Sequence, residues 1–230
     1  MIRGLIFDFD GLILDTESPE YRSWQEVFHS YGCVLALADW AAGIGRGIGD
    51  IPFDPYALLE AASGQTVERA AIRARRRQRY AALVAEETVL PGVEEYIDAA
   101  AQRGLLLGVA SSSSRAWVDS HLTRLRLRSF MMALACADDV ARAKPDPAVY
   151  RAALAQLELR PEEAIAFEDS PNGIAAAHAA GIFCVAVPNS LTSQLPLDRA
   201  DMYVTSLAEV PLEMILAEGE RRSVARQGRD

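Results

Sequence analysis

The fold predicted is a doubly wound, Rossmann-like parallel α/β sheet carrying an inserted α-helical domain. Two observations predict it. Six short apolar runs, at residues 5–9, 105–110, 131–137, 164–167, 182–187 and 202–204, recur along the chain, most of them ending at a polar or acidic cluster. Helical patterns lie between the later runs. Near-continuous apolar runs of this length suit strands buried on both faces of a sheet. Strand–helix alternation builds such a sheet in parallel.

The elements follow in order. The first run, LIFDF, ends at Asp10. The alternation then breaks, because residues 15–88 hold helical patterns at 19–31 and 67–87 and no convincing buried strand. That stretch is far longer than a crossover needs, so residues 15–88 are expected to form a helical cap domain over the sheet edge. Residues 1–14 and 89–218 would form the core. The last cap helix carries RARRRQR at 73–79, either a solvated face or a substrate-facing patch. A helix at 93–103 follows Pro91-Gly92 and stops at Gly104, a C-terminal signal. The helix at 115–127 follows a serine cluster able to supply an N-cap. Those at 147–157 and 172–180 stop near Arg160-Pro161 and at Gly181. The polar tail at 219–230 has no apolar period and is expected to be disordered.

Composition narrows the function classes. The 230 residues are 50% hydrophobic and 24% charged, as in an ordinary globular protein. A net charge of −9 gives no broad positive field, which argues against nucleic acid and anionic membrane as partners. A small anion would then need a cation, helix N-termini or a well-placed lysine. Cys33, Cys136 and Cys184 are odd in number and lack a CxxC, so neither a zinc site nor a disulfide framework follows. Cys136 and Cys184, each in an apolar run, read as reduced core residues of a cytoplasmic protein. No signal-peptide layout precedes the first strand, and no apolar run approaches the roughly 18 residues of a membrane span.

Four clusters carry chemistry, and in doubly wound sheets ligands bind outside the C-terminal ends of the strands. Asp8-Phe9-Asp10-Gly11 puts two carboxylates at residues i and i+2, which point to one side of an extended chain; a turn with solvated acids is the alternative. Ser111 to Ser114 offers hydroxyls and N–H groups at a strand-to-helix junction, as a phosphate cradle or a helix cap. Lys144 is the chain's single lysine among many arginines, so a compact ammonium is called for there, or it is a surface residue before a helix-starting proline. Glu168-Asp169 places two acids after a buried strand, where they bind metal or cap the next helix.

Taken together, DFDGLILDTE, VASSS, AKPDP and FEDSPNGIAAAHAAG resemble the four ordered motifs of the haloacid dehalogenase superfamily, in its small-helical-cap branch of sugar phosphatases and β-phosphoglucomutases. The resemblance runs from Ile2 to about Leu216. It implies that Asp8 attacks phosphorus and that Asp10 acts as general acid and base. It implies that Ser111 and the Ser112 N–H bind phosphate and that Lys144 supplies positive charge. Mg²⁺ would sit between the Asp8 carboxylate, the Asp10 main-chain carbonyl and Asp169, with Glu168 contributing directly or through water. An acid at Asp10 matches the phosphate-ester members rather than the dehalogenases.

The resemblance therefore implies a phosphatase of small sugar or polyol phosphates, a small phosphorylated metabolite as partner, and a monomer or weak dimer. Two other readings stay open: a phosphoglucomutase-type isomerase and a non-catalytic metabolite sensor. The cap loop GIGRGIGD, with Arg46 placed to grip a second phosphate or a sugar hydroxyl, does not reproduce the Arg-plus-acid pattern of the mutases.

Overall fold

The computed structural model describes residues 1–41 and 54–227. Its centre is a six-stranded parallel sheet in the order β3-β2-β1-β4-β5-β6. The strands are β1 (Gly4–Phe7), β2 (Leu106–Ala110), β3 (Ala133–Ala135), β4 (Ala164–Glu168), β5 (Phe183–Ala186) and β6 (Met202–Tyr203). Each falls within or against one of the six apolar runs of the sequence. The doubly wound expectation is met, with β1 central and paired to both β2 and β4.

Alternation along β1 divides the interior. Leu5 and Phe7 enter one apolar cluster with Val93, Ile97, Val118 and Ile215, whereas Ile6 enters another with Val149, Tyr150, Ile174 and Ala177. The first cluster lies under α5 (Val93–Gln102), α6 (Arg115–Arg124) and α9 (Leu212–Gln227); the second lies under α7 (Ala148–Leu157) and α8 (Pro171–Ala179). Both faces are therefore covered, which is why the strands read as nearly continuous apolar runs.

Between β1 and α5 the described helices are α1 (Glu17–Ser30), α2 (Leu37–Ala41), α3 (Pro55–Ser63) and α4 (Arg69–Glu86). They pack on their own cluster, including Trp24, Phe28, Trp40, Leu59 and Ile72, joined by Leu191 from the loop after β5. The arginine run splits along α4. Arg79 pairs with Glu26, and Arg76 turns inward to Glu20 at 3.2 Å with its guanidinium 4.8 Å from the Trp24 ring. Arg73 and Arg77 remain exposed. With Arg75 reaching Ser30 Oγ at 3.4 Å, three of the five arginines tie α4 to α1.

One expectation is corrected. The tail read as disordered from Gly219 is helical through Gln227. Gly219 lies where α9 crosses the sheet, and a Cβ there would press on Ile165 at 2.8 Å. Glu218 pairs with Arg221 and, at 3.2 Å, with Arg222, and Arg222 reaches Asp201 at 3.3 Å. Contacts from the i+3 and i+4 positions supply what an apolar period did not. Among the described residues, no helix is long and apolar enough to cross a membrane.

Candidate active site

The register of the sheet assembles the site. Phe7 pairs with Val109 on one side and Phe167 on the other, so Asp8, Ser111 and Glu168 emerge from three adjacent strand ends. Asp8 N donates to Phe167 O at 3.0 Å, which fixes its backbone beside β4. Lys144 arrives from the loop preceding α7.

Lys144 Nζ donates to Asp8 Oδ1 and to Glu168 Oε1, each at 2.6 Å. All three residues are sealed from solvent, at 1%, 4% and 0% exposure. Tyr150 of α7 donates its hydroxyl to the same Glu168 Oε1 at 2.6 Å, and its ring lies 5.2 Å from the ammonium. Glu168 also leaves no room above it, because a Cβ on Gly173 would overlap its carboxylate.

Asp169 follows directly. Its Oδ2 accepts from Asn189 Nδ2 at 2.8 Å, and Asn189 Nδ2 reaches Gly11 O at 3.0 Å. Gly11 turns with φ 83°, and any side chain there would run into Asp169 and Asn189. The second oxygen, Asp169 Oδ1, is buried with no hydrogen-bond partner.

Ligand oxygens of Asp8, Glu168 and Asp169 lie within 4.8 Å of one another. Three carboxylates face one ammonium, so full ionisation would leave two negative charges uncompensated out of water. The titration behaviour follows. Burial, and then Glu168, pushes the Asp8 carboxyl up to about 8 despite the pull of Lys144. Burial, Asp8 and Glu168 likewise push Asp169 well up. Burial pulls the Lys144 ammonium down, but Asp8 and Glu168 more than offset it and hold the proton on. A buried all-oxygen cluster with excess negative charge and one orphaned oxygen fits a hard divalent cation.

Asp10 has a different set of partners. Thr16 Oγ1 and Trp117 Nε1 donate to Oδ1, each at 2.9 Å; Ser113 Oγ and Ser111 Oγ donate to Oδ2 at 2.7 and 3.2 Å. Ser111 Oγ also accepts from Ser113 N at 2.9 Å, which closes the turn after β2. Ser112 Oγ accepts from Lys144 N at 3.3 Å and ties that turn to the lysine loop. Two carboxylates from one strand end thus sit in separate environments, one against an ammonium and one among hydroxyls and an indole.

The structure brings together Asp8, Asp10, Ser111, Ser112, Lys144, Glu168 and Asp169. Arg46 lies outside the described residues. Ser113 lies within the serine cluster singled out from the sequence; Thr16, Trp117, Tyr150 and Asn189 were not foreseen. Asn189 was findable, since it follows β5 as the acids follow β4. Tyr150 carried no signal beyond an apolar helix position.

Comparison with known proteins gives a consistent result. The sequence model of the haloacid dehalogenase-like hydrolases matches residues 5–187. YhcW of Bacillus subtilis (strain 168), named there as a presumptive phosphatase, is 43% identical over 216 residues, covering 94% of this chain and 97% of that one. Hexitol phosphatase B of Escherichia coli (strain K12) is 32% identical, covering 94% and 97%. Among solved structures, CbbY from Rhodobacter sphaeroides in complex with phosphate superposes with a TM-score of 0.71 at 30% identity, covering 91% and 96%. The β-phosphoglucomutase of Clostridium difficile superposes at 0.75 and 25% identity, covering 97% and 100%.

Proposed function

The chain belongs to the haloacid dehalogenase-like hydrolases and is a phosphatase of that family, and from that premise we propose that it hydrolyses small phosphomonoesters, sugar or polyol phosphates, through an aspartyl phosphate on Asp8. The observation that carries this reading is the position of Lys144, 2.6 Å from Asp8 Oδ1 inside a sealed cluster of three acids. A buried carboxylate oriented by an ammonium is a nucleophile held in place. Its partner Asp10, in a separate hydrogen-bonding environment, is free to take the acid–base role.

In the first displacement, an Asp8 carboxylate oxygen bonds to phosphorus as the ester P–O bond breaks. The Asp10 proton passes to the departing alcohol oxygen. In the second, water attacks phosphorus, its proton passes to Asp10, and the bond from phosphorus to Asp8 breaks to release phosphate. Ser111 and the Ser112 N–H bind the phosphate oxygens, and Lys144 opposes their charge. Mg²⁺, held by Asp8, Asp169 and the Asp10 main-chain carbonyl with Glu168 directly or through water, would add positive charge against those oxygens. By the resemblance to sugar phosphatases we read residues 15–88 as the cap that selects substrate, with Arg46 among its contacts, and we take a cytoplasmic monomer or weak dimer as the working form.

Phosphate release from a panel of phosphorylated sugars, polyols and nucleotides, with and without Mg²⁺, tests this against an Asp8→Asn blank. Mg²⁺-dependent release from a few sugar or polyol phosphates is the expected result. Release no greater than the blank from every ester would overturn it. The likeness to β-phosphoglucomutases favours one second reading. That reading requires bisphosphate-primed conversion of a sugar 1-phosphate to the 6-phosphate, with little free phosphate.

A further inference from the structure

Three of the four donors to Asp10, from Thr16, Ser113 and Trp117, come from residues with no part in the reaction above, and one of them is an indole. Ser114 caps α6, its Oγ accepting from Trp117 N at 3.3 Å, which sets Trp117 in the first turn of the helix at the C-terminal edge of the sheet. From there the indole Nε1 reaches Asp10 Oδ1 at 2.9 Å. The ring is held in turn. Tyr80 of α4 stacks on it with centroids 5.7 Å apart and planes 14° from parallel, and His121 meets it edge-on at 4.2 Å. The stacked Tyr80 contact is a favourable aromatic geometry.

The donors are not equivalent. The hydroxyls of Thr16, Ser111 and Ser113 rotate and can accept as well as donate. The indole N–H is donor-only and locked in the plane of a clamped ring. Of the four, it fixes where Oδ1 points.

We propose that Trp117 is a positioning residue for Asp10, its indole N–H, braced by Tyr80 from the inserted helices, holding the carboxyl where its proton reaches the leaving alcohol. This rests on the reading of Asp10 as acid and base. Because the brace comes from α4, the placement of Asp10 depends on how the inserted helices seat against the sheet.

Leaving groups separate this from a merely structural role. The value of kcat/KM reports steps through the first P–O cleavage, where an alkoxide needs a proton and a p-nitrophenolate does not. In Trp117→Phe the ratio of kcat/KM for the best alkyl phosphate of the panel to that for p-nitrophenyl phosphate should fall about tenfold. Tyr80→Leu, which keeps the indole but removes its brace, should lower the ratio in the same direction and by less. Asp10→Asn, run alongside, should lower it most. Equal loss on both esters in Trp117→Phe, or an unchanged ratio while Asp10→Asn lowers it, would overturn the proposal alone. An unchanged ratio in Asp10→Asn would remove the acid role of Asp10 and the proposal with it.

Discussion

The ammonium of Lys144 lies 2.6 Å from Asp8 Oδ1 with both side chains shut away from solvent. The same ammonium serves Glu168 at the same distance, so it is the shared counter-charge of two buried acids. Above about pH 8, where Asp8 is ionised, replacing it leaves both uncompensated. Lys144→Met should therefore cost ~3–5 kcal/mol of stability, read by urea denaturation, and lower phosphate release by at least ~100-fold. A melt close to wild type would mean that the acids are not charged as described.

Asp8, the proposed nucleophile, is expected to act against the stability of the fold. It adds a third carboxylate to a buried cluster with one cation, and above about pH 8, where it is ionised, Asp8→Asn removes one charge from that excess. At that pH and with chelator present, Asp8→Asn should melt no lower than wild type and gain on the order of 1 kcal/mol, while phosphate release is lost. Marked destabilisation would place Asp8 among residues the fold needs.

Metal and pH should be linked with a definite sign. The Asp8 carboxyl, ordinarily near 3.8, holds its proton to about 8 in the folded protein. A raised acid stabilises the metal-free fold most at low pH, and that contribution drains away as pH rises from about 4 through about 8. A cation must displace those protons to bind. The Mg²⁺-induced rise in melting temperature should thus be larger at about pH 8 than at about pH 5.5, and Mg²⁺ titrated into weakly buffered apoprotein should release protons. A shift independent of pH would remove the acid cluster as the binding site.

Gly173 inverts a familiar rule. Glycine to alanine near a helix start usually gains a few tenths of a kcal/mol or more, yet at Gly173 a Cβ would overlap the Glu168 carboxylate. Gly173→Ala should instead cost about 1–3 kcal/mol and reduce activity by displacing the partner of Lys144. Gly104, with nothing near a Cβ but φ 70°, is a useful comparison for backbone strain alone; Gly104→Ala should leave phosphate release intact.

The sheet was legible because β1 to β5 lie buried and announce themselves as apolar runs, and Asp8, Ser111, Lys144 and Glu168-Asp169 were legible because each follows such a run or lies in a motif. What escaped has physical reasons. Tyr150 looks like any apolar helix residue until its hydroxyl is seen against Glu168. Trp117 reads as a core aromatic, and its bond to Asp10 depends on the cap at Ser114 and the seat against Tyr80. The α9 helix escaped because ion pairs and a close crossing at Gly219 hold it, rather than an apolar stripe.

The central place of β1 has a consequence for the order of events during synthesis. Gly4 pairs with Leu106 on one side and with Ala164 on the other. The strand bearing Asp8 leaves the ribosome first, yet it gains its second neighbour only after three long connections have been made. Contacts so distant in sequence slow folding, because loop closure precedes any reward. Until β4 arrives, the GLIF segment is an apolar edge with unpaired main-chain groups, open to wrong strands as well as the right one. Glu168 and Asp169 arrive last, so a nascent chain ending before residue 164 carries Asp8, Asp10 and Lys144 without the two acids that complete the buried cluster.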